Sequence, residues 1–378
     1  MFKKLVIFSA VFISVTVLAL QGQYKVLHEF TGTETDGIAP RGSLIAKGNM
    51  LYGMSERGGT FNGGTIFKIS VEGTGFALLH SFSGASDGWY PSGSLTLYNG
   101  KLYGMTALGG AIDVGVIFRI NTDGTGFTVL HSFVGGTTDG AFPFGSLILY
   151  NGQFYGTTWG GGSKGRGTVF RISPSMGGFK IVHSFGGGAM DGQYPAGTLT
   201  LVGTRFFGTT AGGGASDNGT IFRILPGGAG FKVLHSFTGG TLDGSGPFYG
   251  PLAVSGPWLF GMTRQGGAND DCGIFKIKTD GSEYEFLYSL GSSDGINPWG
   301  SVTYSGSKLY GMTIFGGSDG YGTIFVINAD GTDFEVLHSF GFDPIGQPQG
   351  DLLRVVTNKY GTMLYGMTAG CIFSYKLR

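Results

Sequence analysis

Apolar and aromatic residues recur two apart in short runs along this chain, as in Phe231-Lys232-Val233-Leu234-His235-Ser236-Phe237. Such runs, bounded by Gly, Asn and Asp, predict short strands. In this one, period two puts Phe231, Val233, His235 and Phe237 on one apolar face. The runs themselves repeat. A strand of Leu-His-Ser-Phe type carries its ring residue at His28, His80, His131, His183, His235, Tyr288 and His338, 310 residues in six steps or about 52 per step. A Pro-x-Gly-Ser-Leu element surrounds Gly42, Gly93, Gly145, Gly197, Gly250, Gly300 and Gly350. A Leu-Tyr-Gly-Met-Thr element centres on Gly53, Gly104, Gly156, Gly208, Gly261, Gly311 and Gly366. A Gly-Thr-Ile-Phe element ends on Phe67, Phe118, Phe170, Phe222, Phe275, Phe325 and Phe373.

Four short strands repeated seven times predict an all-β fold, a seven-bladed β-propeller over residues 23–378. Asn99-Gly100 and Asn151-Gly152 suit type I′ hairpins between the first two strands, and Asp123-Gly124, Asp280-Gly281 and Asp330-Gly331 are expected to do the same between the last two. Chain order predicts the closure. A Leu-His-Ser-Phe-type strand (residues 23–30) precedes the first full repeat, and the last repeat stops one strand short. The N-terminal strand should therefore close the last blade, removing the open edge.

These four elements together resemble the GloVer tandem repeats of bacterial surface and secreted proteins, often called choice-of-anchor proteins, from Tyr24 to Phe373. The resemblance implies a propeller and export, and brings no reaction with it. No sorting domain follows Arg378 here, so the surface anchoring that the resemblance would imply is not expected.

Composition refines this picture. Gly supplies 76 of 378 residues, yet 41% of the chain is hydrophobic and 14% aromatic, so these are turn glycines in a chain that can build a core. Lys and Arg number 24 against 24 Asp and Glu, leaving no basic surplus for nucleic acid. Lys3 and Lys4 precede an apolar run from Leu5 to Leu18, which is too short for a comfortable span and reads as a signal peptide over residues 1–22. The expectation is a secreted protein, extracellular or periplasmic, monomeric and without a membrane span after cleavage.

Candidate chemistry is sparse. All six histidines occupy one repeat position, where one copy has Tyr288; a flat ring with a polar tip is wanted there, and its nitrogens should be satisfied by backbone. Asp36, Asp87, Asp139, Asp191, Asp243 and Asp294 each stand in an Asp-Gly pair, where they should accept backbone N–H groups. Calcium, aided by Asp113, Asp217, Asp270, Asp271 and Asp319, is the functional alternative, but no run has the spacing of a calcium loop, so no cofactor or metal is expected. Cys272 and Cys371 lie in different blades and should be buried free thiols. The glycine string at 160–167 has no following helix and is a turn.

The long Gly-rich loops all emerge on one face, and its variable residues are the natural ligand contacts. The candidates are Arg41, Trp89, Tyr90, Phe144, Trp159, Phe248, Trp299, Gln349 and Asp351, with Arg41, Gln349 and Asp351 brought together at the seam. Low charge and the lack of an unrepeated His weigh against an enzyme. The expectation is thus a non-enzymatic extracellular binding or structural module whose loop face recognises a glycan or a surface protein. The alternative is a secreted propeller enzyme acting on polysaccharide, as hydrolase or lyase.

Overall fold

The structure, a computed structural model, describes residues 23–377 apart from 176, 248, 269 and 343–345; the expected signal peptide over residues 1–22 therefore lies outside the described residues. The chain forms seven antiparallel blades in sequence order, numbered here 1 to 7, each of four strands, with the short Trp89–Pro91 joining the sheet of blade 2 as a fifth. Blade 4 is representative: Thr200–Val202 is innermost, then Arg205–Thr210, Thr220–Ile224 and the outer Lys232–Ser236. In blade 7 the outer place is taken by Tyr24–Glu29, which pairs with Cys371–Lys376 in the register Tyr24↔Tyr375, Val26↔Phe373 and His28↔Ile372. The ring is closed by the N-terminal strand, as its order in the chain predicts.

Repeat chemistry explains the blades. Gly104 of the second strand faces Phe118 of the third, and a Cβ there would sit 2.5 Å from the ring's Cζ. The same pairing joins Gly156 to Phe170, and each remaining blade has its counterpart. The glycine exists to let the phenyl ring lie across the neighbouring strand. The core then fills the spaces between blades. Leu27, Phe30 and Ile372 of blade 7, for example, bury against Leu44, Leu51 and Phe67 of blade 1.

Two sequence expectations need correction. Every outer strand carries a bulge: Phe222 pairs with Val233 but Ile221 with His235, leaving Leu234 over. The extra residue reverses the parity of the strand. Phe231 therefore stacks on His183 of blade 3, while His235 and Phe237 turn to blade 5, so these residues do not share a face. In the turns, Asn99 and Gly100 are both left-handed (φ 46° and 75°), as type I′ requires, but of the Asp123-Gly124 pair only Gly124 is (φ 95°). Asp123 instead accepts hydrogen bonds from the N–H and hydroxyl of Thr125, in a turn closed from Gly124 N–H to Asn121 C=O. Both cysteines are free and buried, and burial pushes the Cys272 thiol up to about 12.

Candidate functional site

The histidines form a belt on the outer rim. Nε2 of His28, His80, His131, His183 and His235 lies 3.0–3.2 Å from the carboxylate of Asp36, Asp87, Asp139, Asp191 and Asp243 respectively. The partner is thus this carboxylate and not backbone, while the carboxylate also accepts backbone N–H groups, as Asp36 does from Thr31 and Gly37. Each ring also stacks on the next blade, His235 on Tyr284 at 3.6 Å and His28 on Phe76 at 3.7 Å. Tyr288 reproduces the arrangement with Asp294 and Phe334. Burial would raise Asp243, but hydrogen bonds from His235, Tyr284, Thr238 and Gly244 outweigh it and hold the carboxyl well below the usual range. His338 closes the belt by stacking on Tyr24 at 4.1 Å, and burial lowers it to about 4.

The loop face is built on a collar. In each blade the residue before the entry Pro is left-handed: Ala39, Tyr90, Phe142, Tyr194, Gly246, Asn297 and Gln347 have φ between 53° and 62°. A bulky residue held there is strained. Two hydrogen bonds hold it: the Tyr194 N–H donates to Arg166 C=O of blade 3, and its C=O accepts from Ala211 N–H of its own blade. The side chain is thereby aimed along the blade interface. Between blades 3 and 4 that space is filled by aromatics, Trp159 stacked on Tyr194 (5.0 Å) with Phe144 edge-on to Trp159 (6.0 Å). Tyr90 lies beneath Arg57 and beside Trp89.

The channel mouth gathers Arg41, Phe144, Trp299 and Asp351 with Ser92, Ala196 and Tyr249 around a cavity of about 40 Å³. Arg41 pairs with Glu56 and lies 4.3 Å over Trp299, so it is not the ion-pair partner of Asp351 across the seam. The seam is made by Ser43, which donates to Asp351 Oδ2 and accepts the Asp351 N–H. Gln349 is not on the cavity wall, and its Oε1 is buried without a partner. Phe248 lies outside the described residues; Tyr249 stands at that wall. Organic ligands need clefts of about 300–1,000 Å³. The mouth is too small for one.

A cleft of about 450 Å³ opens across blades 4 to 6. Its walls include Ser245, Arg264, Gln265, Asp270, Asp271 and Asn297. It exists because Ala211 and Gly246 stand where the preceding interface has Trp159 and Tyr194. Arg264 donates to Asn297 Oδ1 at 3.1 Å. Asp270 accepts Gly266 N–H, a loop-holding duty that Asn62, Asp113 and Asp217 perform in other blades. Asp271 has no ion-pair partner among the described residues. Sequence reasoning named Asp271 only for calcium and missed Arg264. The signal was there: its repeat position reads Glu56, Ala107, Trp159, Ala211, Arg264, Ile314 and Ala369, with a cation once. Among the described residues no group of three His, Cys, Asp or Glu side chains is placed to hold a metal, and no helix is long and apolar enough to cross a membrane.

The Gloeobacter/Verrucomicrobia repeat model matches residues 11–214 and 202–378. The chain belongs to the Gloeobacter/Verrucomicrobia repeat family. No curated protein matches this family member in sequence. Solved structures match it in shape. An oligogalacturonate lyase from Vibrio parahaemolyticus is 12% identical with a TM-score of 0.58, covering 94% of this chain and 93% of that one. An oligogalacturonate lyase in complex with manganese gives 12%, 0.56, 90% and 90%. An ancestral GH74 enzyme gives 10% and 0.61 over 91% of this chain, which spans about half (48%) of that enzyme. At these identities the likeness is one of fold. It nonetheless overturns the expectation weighing against an enzyme: these propellers are enzymes, so the architecture is compatible with catalysis. The missing unrepeated His does not count against it either, since carboxylates and a guanidinium also do acid–base and charge-stabilising work.

Proposed function

We propose that this repeat protein is an exported propeller enzyme acting on polysaccharide, and that the cleft across blades 4 to 6 is where it acts. The observation that carries the reading is the convergence of unrepeated Arg264 and Asp271 on a cleft large enough for a sugar ring. The Trp159–Tyr194 pair on the neighbouring interface offers an aromatic surface on which an adjoining sugar can lie.

The charges favour elimination from an acidic sugar. Hydrolysis uses two carboxylates on either side of the bond, and here Asp270 is committed to its loop while Asp271 is not. Elimination uses a base and a cation. Arg264 pairs with the uronate carboxylate and stabilises charge that develops there; Asp271 takes the proton on the adjoining ring carbon. The electron pair of that C–H bond forms the ring double bond as the glycosidic C–O bond breaks, and the leaving oxygen takes a proton from water.

The test is incubation with a panel of acidic and neutral polysaccharides. Ultraviolet absorbance reads the unsaturated sugar end, and reducing ends read total cleavage. Asp271→Asn and Arg264→Ala should each lower kcat/KM by about a hundredfold or more at unchanged Tm. Reducing ends without absorbance would replace elimination by hydrolysis. No cleavage of any polymer, or full activity in both variants, would sink the assignment of the cleft.

A further inference from the structure

The channel mouth carries a hydrogen-bonded ring with one break. After each ring glycine stands Ser43, Ser94, Ser146, Thr198, Pro251, Ser301 or Asp351. Each backbone N–H reaches the side-chain oxygen of the next blade: Ser43 to Ser94 (2.7 Å), Ser94 to Ser146 (2.7 Å) and Ser146 to Thr198 (2.9 Å). Ser301 N–H goes on to Asp351 Oδ1, and Asp351 N–H to Ser43 Oγ at 2.8 Å. Pro251 breaks the circle in both directions. It offers no hydroxyl for the Thr198 N–H and no N–H for Ser301. Accordingly Ser301, only 5% exposed, has an Oγ without any partner, as does Ser92 Oγ on the cavity wall.

Asp351 is the one carboxylate of this ring. Asp351 is half-buried, and burial pushes its carboxyl up to about 6 against the hydrogen bonds from Ser301 N–H and the Ser43 hydroxyl. No Lys, Arg or His side chain forms an ion pair with it among the described residues, since Arg41 is held by Glu56. A carboxylate drawn out of water with no counter-charge is costly. Ser94, Ser146 and Thr198 line the same cavity, and each hydroxyl oxygen, having accepted one N–H, keeps a lone pair. The cavity, about 40 Å³, admits a single ion or one or two waters and nothing organic.

We propose that the channel mouth binds one small hard cation, held by the Asp351 carboxylate and the surrounding Ser and Thr oxygens. Oxygen-only coordination with a single carboxylate suits calcium or sodium and not a softer transition metal. The site is independent of the cleft and of any activity there.

Terbium(III) is the probe, because Trp299 and Tyr249 on the same wall can sensitise its emission. The full chain, stripped with EDTA, is titrated with terbium and the signal is then competed with calcium and with sodium. The expected result is a saturable one-to-one signal displaced by one of these ions. Asp351→Ser, which restores the hydroxyl found in the other blades, should keep the fold and weaken that signal at least tenfold. Asp351→Asn serves in its place should circular dichroism show the Ser variant unfolded. A parent chain with no one-to-one signal, or a folded variant that binds terbium as the parent does, would overturn the proposal.

Discussion

The rim histidine shows how a residue is chosen by shape and by one polar atom. His235 presents a face to Tyr284 and a nitrogen to Asp243, and Tyr288 meets the same two demands with a phenol. His235→Ala should therefore cost about 2–4 kcal/mol, since it opens a cavity and removes a partner of a buried carboxylate. His235→Tyr should cost well under half of that in urea unfolding. Equal losses would mean that the stacked ring with its Asp contact is not what position 235 contributes. His338 adds a pH dependence. Its folded value of about 4 lies below the roughly 6.5 of an unfolded His. The unfolded chain thus takes the proton first, so this contribution is whole above about pH 6.5 and is lost as the pH falls toward 4. The slope of Tm against pH in that window should flatten in His338→Phe; an unchanged slope would assign it elsewhere.

Among the elements, the closing strand and the outer-strand bulge matter most. Residues 24–29 supply the seventh outer strand, the Tyr24 ring for His338, and Leu27 for the core of blade 1. Their loss leaves Cys371–Lys376 as an unpaired edge. A chain starting at Thr31 should melt well below one starting at Gln23 and should self-associate; light scattering and calorimetry read both. Matching Tm and monomeric behaviour in the two would contradict the clasp. The bulge explains why strand-level reading placed Phe231 and His235 together. Period two holds only while pairing advances one residue for one, and the unpaired Leu234 is invisible to it.

At the scale of the whole molecule, one ring of near-identical blades presents different chemistry at each interface through the bulk of a few loop residues. Gly246 and Tyr194 share the left-handed collar conformation (φ 58° and 60°), and a Cβ at Gly246 meets nothing within 4 Å. Combining Ala211→Trp with Gly246→Tyr should therefore transplant the Trp159–Tyr194 stack and fill the cleft. The expected result is loss of polysaccharide cleavage with Tm kept within a few degrees. Retained activity in a folded double variant would move the reaction away from this cleft.

The sequence by itself determined the blade number and the closure. The elements that show them are local and recur about every 52 residues, so each copy reports on the others. The role of the strand glycine, which lets each phenyl ring cross its neighbour, came only with the structure. The partners of Arg41, the parity of the outer strands and the position of the cleft were decided only by tertiary structure. Arg41 had two acids within reach of the seam, and the packed ring gave it Glu56 and the face of Trp299. The cleft arises where two small residues, Ala211 and Gly246, meet across an interface. A missing side chain leaves no pattern along the chain; it becomes a space only when its neighbours are in place.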